Sequence, residues 1–253
     1  MEGSVGYERR GSVGIATIQF PERLNVLSMD VRAGLRSAFD TVAKDPGVRA
    51  LVLTGSGRAF CAGNDVRLLD VEFAEARQDI ADTLALFCEP ENLAVPVIAA
   101  VNGFALGGGF ELALGCDLII AARSATFGTP EIKIGAAAGF AMMRLPELLG
   151  KHRAMQLFML GDRIDAETAL DWGIANKVVD DDKLMDEAIA LAEVIAEGAP
   201  LSAQLYKRVV NRAVGSEEIL LAVEANAGLF TTKDQAEGRQ AFLEKRSPRF
   251  RGE

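Results

Sequence analysis

Histidine is nearly missing from this chain: His152 is the one such residue in 253. That scarcity removes support from Ser-His-Asp and Cys-His constellations and from multi-histidine metal sites, each of which needs an imidazole beside a second reactive group. His152 itself sits at a helix start flanked by Lys151 and Arg153, which predicts a surface position. Cysteine is scarce as well. Cys61, Cys88 and Cys116 form no CxxC pair and are odd in number, so reduced core thiols are expected, with neither a disulfide framework nor a zinc site. Positive charge is short: 27 Lys and Arg stand against 36 Asp and Glu, for a net charge of −9. With no basic stripe or tail, a nucleic-acid partner is not expected. Uninterrupted apolar runs are lacking too. The N-terminal stretch has no apolar core of the signal-peptide kind and carries Glu2, Glu8, Arg9 and Arg10. Residues 93–122 are long and weakly charged enough to imitate a membrane span, but Pro96, Asn102, a glycine cluster, Glu111 and Asp117 interrupt them, so they read as core. Together these absences predict a cytoplasmic protein with no metal site and no membrane partner. No GxSxG elbow or GxxxxGK[ST] phosphate loop occurs either.

What is present is ample apolar material, 49% of residues against 25% charged, enough for one large or two modest globular units. Val13 to Phe20 reads as a strand ended by Pro21, and Ser28 caps a predicted helix from Met29 to Lys44, closed by Asp45-Pro46-Gly47. Arg49 to Thr54 and Leu118 to Ala122 are further strands. Ala125 to Ile134 is expected to be extended around Pro130, with Glu131 on a loop or strand edge. Helices follow over Ala136–Leu149 and His152–Leu160, then a short one capped by Asp165 and stopped at Gly173. From about Asp182 the pattern is wholly helical: Leu184–Glu197, Leu201–Val214, Ser216–Phe230 and Thr232–Leu243, where Thr232 and Gln235 have capping-box spacing. Strands alternating with helices predict an α/β core. Asp180-Asp181-Asp182 reads as a charged capping loop rather than a metal ligand set. Gly55-Ser56-Gly57 opens like a dinucleotide fingerprint, but Phe60 stands where its third glycine belongs.

The stretch that organises the chain is Val95–Asp117, VPVIAAVNGFALGGGFELALGCD. A short apolar strand runs to Val101, and Gly103, Gly107, Gly108 and Gly109 then break it, so a helix should begin among the glycines. The first amides of a helix have no intrahelical partner, and glycine lets them approach a ligand, so this turn can hold an oxygen that becomes negative. Glu111 falls in the helix's first turn. The other reading, a tight corner with a glutamate that merely suits a helix N-terminus, stays open on these residues alone. Two carboxylates, Glu111 and Glu131, and two glycine-bearing turns, FCAGND and FALGGG, are the chemistry that remains. Carboxylates sharing an apolar pocket titrate apart, which suits general acid/base work, and two turns can aim two N–H groups at one carbonyl oxygen.

At these residues the chain resembles the enoyl-CoA hydratase/isomerase, or crotonase, superfamily, and the likeness runs nearly end to end. PERLNVLS, AFCAGNDV, AAVNGFALGGGFELALGCDLIIAA, ATFGTPEIKIG, DAETALDWGIANKVV and FLEKRSPRF carry it in family order. The resemblance implies a spiral of ββα units over residues 1–197 holding an acyl-CoA site, and a helical region, 198–253, that packs between subunits of a homotrimer or dimer of trimers. It implies Glu111 and Glu131 as catalytic carboxylates, the backbone N–H groups of Asn64 and Gly108 as the oxyanion hole, and Gly139 as the amide that positions water. It also implies Arg23, Ala62, Arg67, Phe242 and Lys245 as CoA-binding residues, the last two reaching CoA on a neighbouring subunit. The stretch Leu68–Leu93 would line the acyl site. Coenzyme A would belong to the substrate, with no separate cofactor. Both glutamates being present favours water addition to a trans-2-enoyl-CoA over a double-bond shift or another acyl-CoA dehydration, and argues against a CoA-thioester-binding subunit without turnover. Three departures stand out: Ala138 replaces a common proline, Phe140-Ala141 replace glycines, and Glu22 occupies a usually basic position. Phe140 either narrows the acyl pocket or packs.

Overall fold

The computed structural model describes residues 3–69, 72–211 and 216–251; residues 212–214 of the expected helix Leu201–Val214 lie outside them. β1 (Ser4–Arg10) and β2 (Val13–Gln19) form an antiparallel hairpin, Arg10 opposite Val13 across the two-residue loop Gly11-Ser12. β1 is absent from the sequence reading because its polar, mostly exposed residues give no apolar run. After a 3-10 turn at Pro21–Arg23, Ser28 caps α1 (Met29–Lys44) by accepting from the Val31 N–H, as predicted. Val31, Leu35, Phe39 and Val42 recur at helical spacing and are buried where α1 meets the hairpin, each large side chain contributing about 2 kcal/mol by leaving water.

Three ββα units follow, each with one strand in each of two sheets. β3 (Ala50–Gly55), β4 (Ala59–Cys61) and α2 (Phe73–Asn92) form the first; β5 (Val97–Val101), β6 (Phe104–Leu106) and α3 (Gly108–Leu114) the second; β7 (Leu118–Ala122), β8 (Thr126–Gly128) and α4 (Gly139–Leu149) the third. The chain then adds α5 (Lys151–Leu160), β9 (Arg163–Asp165), α6 (Ala166–Asp171), β10 (Lys177–Val179) and the helices α7 (Leu184–Glu197), α8 (Pro200–Val210), α9 (Ser216–Leu229) and α10 (Lys233–Leu243). The first sheet has the order β1-β2-β3-β5-β7-β10 and is parallel from β2 onward; the second is β4-β6-β8-β9. β3 and β5 are buried at every residue, which is why their apolar runs are continuous rather than alternating. The spiral of ββα units implied by the resemblance is therefore the observed fold.

Two boundaries differ from expectation. Pro130–Ile134 is a 3-10 turn rather than extended, because proline at the first helical position lacks only an N–H that would have had no partner. α4 starts at Gly139 rather than Ala136. The C-terminal helices are tied to the spiral through a buried cation: Lys207 on α8 donates to the carbonyls of Pro90 (2.5 Å) and Val95 (2.9 Å) and to Asp117 Oδ2 (2.7 Å). Asp117 in turn accepts from Asn211 Nδ2 and the Val97 N–H, so α8 is locked to the entry of β5. Among the described residues no single helix is long and apolar enough to cross a membrane, though the bent pair Asp181–Glu197 and Pro200–Val210 passes together on length and composition. Leu184, Ala188 and Ala192 of that pair are buried where α7 packs on the first sheet. His152 is exposed, and the three cysteines are unpaired.

Candidate active site

The site lies where two sharp turns meet. One follows β4, at Ala62-Gly63-Asn64; the other follows β6, at Gly107-Gly108. Gly107 has φ +53° and ψ −128°, a conformation that a side chain would strain, and a Cβ there would stand 2.4 Å from Glu131 Oε1. Gly109 is needed for a different reason: a Cβ would lie 2.0 Å from the Cys61 carbonyl oxygen, so only glycine lets α3 begin this close to the first turn. The turns are within contact of each other, since a Cβ on Gly63 would be 3.2 Å from the Gly108 nitrogen. Gly108 opens α3, and its N–H has no carbonyl within its own helix to bond.

Glu111, in the first turn of α3, is 3% exposed. Its Oε1 accepts from the N–H groups of Phe140 (2.7 Å) and Ala141 (3.0 Å), the second and third residues of α4. Ala138 offers no side-chain cap to α4, so a carboxylate from another helix supplies it. Burial pushes the Glu111 carboxyl up, against the pull of those two amides. Glu131 is also pushed up, first by burial and then by the charge of Glu111, against the pull of its own backbone N–H. Its Oε2 is a buried oxygen without a hydrogen-bond partner among the described residues. The two acids are thus unequal. Glu111 has two amide donors from another helix that favour the anion; Glu131 has only its own backbone N–H, with Oε2 unpartnered, and keeps a proton more readily.

Both acids line one cavity of about 820 Å³. Ala62, Gly63 and Asn64 form part of its wall, as do Gly107 and Gly139. From α2 come Asp79, Ile80, Thr83, Leu84 and Phe87, one helical face, so five residues of the stretch Leu68–Leu93 line the cavity; residues 70 and 71 lie outside the described residues. A volume of this size suits a ligand larger than a small metabolite. Among the described residues no three His, Cys, Asp or Glu side chains are grouped as metal ligands.

The sequence model of the enoyl-CoA hydratase/isomerase family matches residues 8–253. The chain belongs to that family. It is 41% identical over 248 residues to a probable enoyl-CoA hydratase of Mycobacterium bovis, covering 96% of each chain, and 40% identical over 249 residues to a crotonyl-CoA hydratase of Syntrophomonas wolfei, again covering 96% of each. Among solved structures, a carnitinyl-CoA hydratase from Mycobacterium avium superposes with a TM-score of 0.88 at 36% identity, covering 99% of both chains.

Within this enoyl-CoA hydratase/isomerase family member, the sequence-predicted residues separate into two groups. Glu111, Glu131, Asn64, Gly139 and Ala62 come together on the cavity wall, and Gly108 abuts it between Gly107 and Gly63. Arg23 and Arg67 do not form the wall. They converge instead on the buried Asp65, Arg67 at 2.5 Å and Arg23 at 3.4 Å, and hydrogen bonding by Arg67 holds the Asp65 carboxyl below its usual range. Phe242 lines the cavity of its own chain, because α10 packs on the Pro130–Ile134 turn. Lys245, just past α10, is exposed and outside the wall. Phe140 packs rather than narrows: it is fully buried with its ring edge-on to Phe87 at 6.1 Å. Asn226 was not anticipated. From α9 it reaches the cavity wall and clamps Ala137, accepting from its N–H (3.3 Å) and donating to its carbonyl (2.7 Å). No sequence signal singled it out, since one asparagine in a helix that also carries Glu217, Glu218 and Glu224 marks nothing until the fold supplies its partner. Asp79 and Thr83 were hidden likewise, though their spacing with Leu84 and Phe87 is the helical period.

Proposed function

We propose that this enzyme of the enoyl-CoA hydratase/isomerase family adds water across the C2=C3 bond of a trans-2-enoyl-CoA. The observation that carries the reading is the inequality of its two buried acids. Hydration needs one group to take a proton from water and one to give a proton to C2. Glu111, whose anion two amides favour, is the base; Glu131, with one oxygen unpartnered, is the acid. Water's oxygen bonds to C3, its proton passes to Glu111, and Glu131 protonates C2, after which proton exchange with solvent resets the pair. The Asn64 and Gly108 N–H groups receive the charge that builds on the thioester oxygen, and the leading amide of α4 at Gly139 positions the water. A loop held by Asn226 supports that wall.

The CoA moiety carries phosphates, so basic groups are part of the proposal: Arg23 and Arg67 beside the Asn64 turn, with Ala62 against the pantetheine and Phe242 and Lys245 toward the adenine. Water, CoA thioester and the two carboxylates complete the chemistry, so the proposal includes no separate cofactor and assigns the protein to the cytoplasm. It also includes assembly into a homotrimer or a dimer of trimers. Leu201, Tyr206 and Val210 on α8 and Leu221 on α9 are each at least 70% exposed, an apolar surface that a second copy would cover. Light scattering on the purified protein tests the assembly; a monomer would overturn it.

Incubation with crotonyl-CoA tests the reaction. Loss of the conjugated enoyl-thioester absorbance with formation of 3-hydroxybutyryl-CoA is expected. Migration of the double bond of a 3-enoyl-CoA, without water addition to crotonyl-CoA, would replace hydration by isomerisation.

A further inference from the structure

Beside the cavity lies a buried cation that the proposed reaction does not use. Arg32, in the second half-turn of α1, is 6% exposed. Its Nε donates to the Leu27 carbonyl (3.1 Å), its Nη1 to Asp79 Oδ1 on α2 (2.5 Å) and its Nη2 to Asn64 Oδ1 (3.3 Å). Leu27 is itself bound to the same turn: its N–H donates to the Gly63 carbonyl (2.9 Å), and it forms an isolated parallel bridge with Asn64. Asn64 Oδ1 lies 3.2 Å from the place a Cβ on Gly108 would occupy, so the amide oxygen that Arg32 holds sits at the junction of the two turns. One planar guanidinium therefore references three things to each other: the strand-like segment at Leu27, the Gly63-Asn64 turn and the acyl-side wall at Asp79. A flexible cation would not do this, whereas the fork of an arginine fixes several acceptors in one plane.

Stability alone gives little reason for such a group. A buried ion pair is often no better for folding than apolar residues of the same volume, and what it can provide instead is a defined geometry. We propose that Arg32 is a positioning residue for the oxyanion turn. Through the Asn64 side chain and through Leu27, it sets the direction of the Asn64 N–H relative to that of Gly108. Through Asp79 it ties that direction to the wall on which the acyl chain lies. The inference rests on the oxyanion role assigned to Asn64 above.

The test uses the full-length protein, crotonyl-CoA turnover and the infrared carbonyl band of bound butyryl-CoA carrying a 13C-labelled thioester, which moves to lower frequency as the oxyanion hole polarises it. Arg32→Gln is expected to lower kcat about ten- to a hundredfold, the range that misplacement of a catalytic group produces, with KM changed less than about threefold. The bound carbonyl band should return part-way to its position in free solution. Asn64→Ala keeps the backbone N–H and removes only the link, so it should shift band and kcat in the same direction, and the double variant should be no worse than the worse single one. If Arg32→Gln fails to fold, Asn64→Ala and Arg32→Lys decide by the same band. A variant that melts earlier yet keeps the wild-type band and kcat would reduce Arg32 to a structural role, and additive losses in the double variant would also overturn the inference. Wild-type protein that polarises butyryl-CoA but does not hydrate crotonyl-CoA would overturn the hydratase reading alone, leaving the band to judge Arg32. Wild-type protein that leaves the carbonyl unshifted would overturn the inference together with the oxyanion site.

Discussion

Two helices begin at the cavity, α3 at Gly108 and α4 at Gly139, and both open on glycine without a side-chain cap. Their leading amides have opposite fates. The second and third of α4 are engaged by a carboxylate, since Phe140 and Ala141 donate to Glu111, whereas Gly108 has no acceptor within its helix and meets the cavity-lining Gly63. The carboxylate that closes α4 grows from the first turn of α3. One short helix thus offers an open amide at its start and, one turn later, a carboxylate that accepts from two amides of another helix. The comparison teaches that a glycine helix start is only a potential anion site; what the fold aims at it decides whether it binds the protein's own carboxylate or a ligand's oxygen.

The strongest way to break this comparison is to remove the carboxylates. Glu111→Gln and Glu131→Gln should each lower kcat roughly a hundredfold or more, the scale of general acid/base groups. Binding of butyryl-CoA should change far less, because thioester and CoA are held elsewhere. If Glu131→Gln alone abolished turnover of a 3-enoyl-CoA while Glu111→Gln spared it, the two-acid reading would fall.

Next, one substitution can be placed at both helix starts. Gly108→Pro deletes the open N–H and distorts its turn, and should lower turnover about a hundredfold. Gly139→Pro removes an N–H where proline is tolerated, so the loss should be about five- to tenfold, near the worth of one hydrogen bond. Equal losses in steady-state kinetics would mean that the two starts are not functionally different.

The unequal acids also predict a dependence of stability on pH. The Glu131 carboxyl, ordinarily near 4.5, is pushed up to about 8 by burial and by Glu111, which is itself raised to about 7 by burial. Between about pH 4.5 and 8 the unfolded chain has released protons that the native state retains, so these groups make stability fall as pH rises through that window. Glu131→Gln removes one contribution. Relative to the wild type, its melting temperature should rise by about 3 °C or more from pH 5 to pH 9. A constant difference across that range would contradict the raised proton affinity of Glu131. The smallest effect is expected at Asn226. Asn226→Leu frees both polar groups of Ala137 and should lower kcat about threefold, on the order of one modest hydrogen bond, with CoA binding unchanged in a titration.

Much of this site was legible in the chain. Glu111 and Glu131, the glycine turns and the caps at Ser28, Asp165 and Thr232 all follow from local rules, because periodicity, proline and glycine act within a few residues. The hairpin had one local signal in the two-residue loop Gly11-Ser12, but β1 before it has no apolar run. The three-residue strands β4, β6 and β8 had none of comparable strength. They are too short to show a period, and only their stacking on one another makes a sheet.

What the tertiary structure alone decided is which groups meet. The sequence by itself determined that two acids and two amide-bearing turns exist, and that the core is α/β with a helical end. It did not determine that Glu111 caps α4 across 29 positions, that Asn226 reaches Ala137 across 89, or that Arg23 and Arg67 turn toward Asp65 instead of the cavity. Nor did it place Phe242 on the wall of its own chain's cavity. Apart from the local pair Arg67–Asp65, those pairings depend on the crossing of elements far apart in the chain. Residue type sets what a group can donate or accept, but the packing of helices on sheets sets the partner, and with the partner its charge.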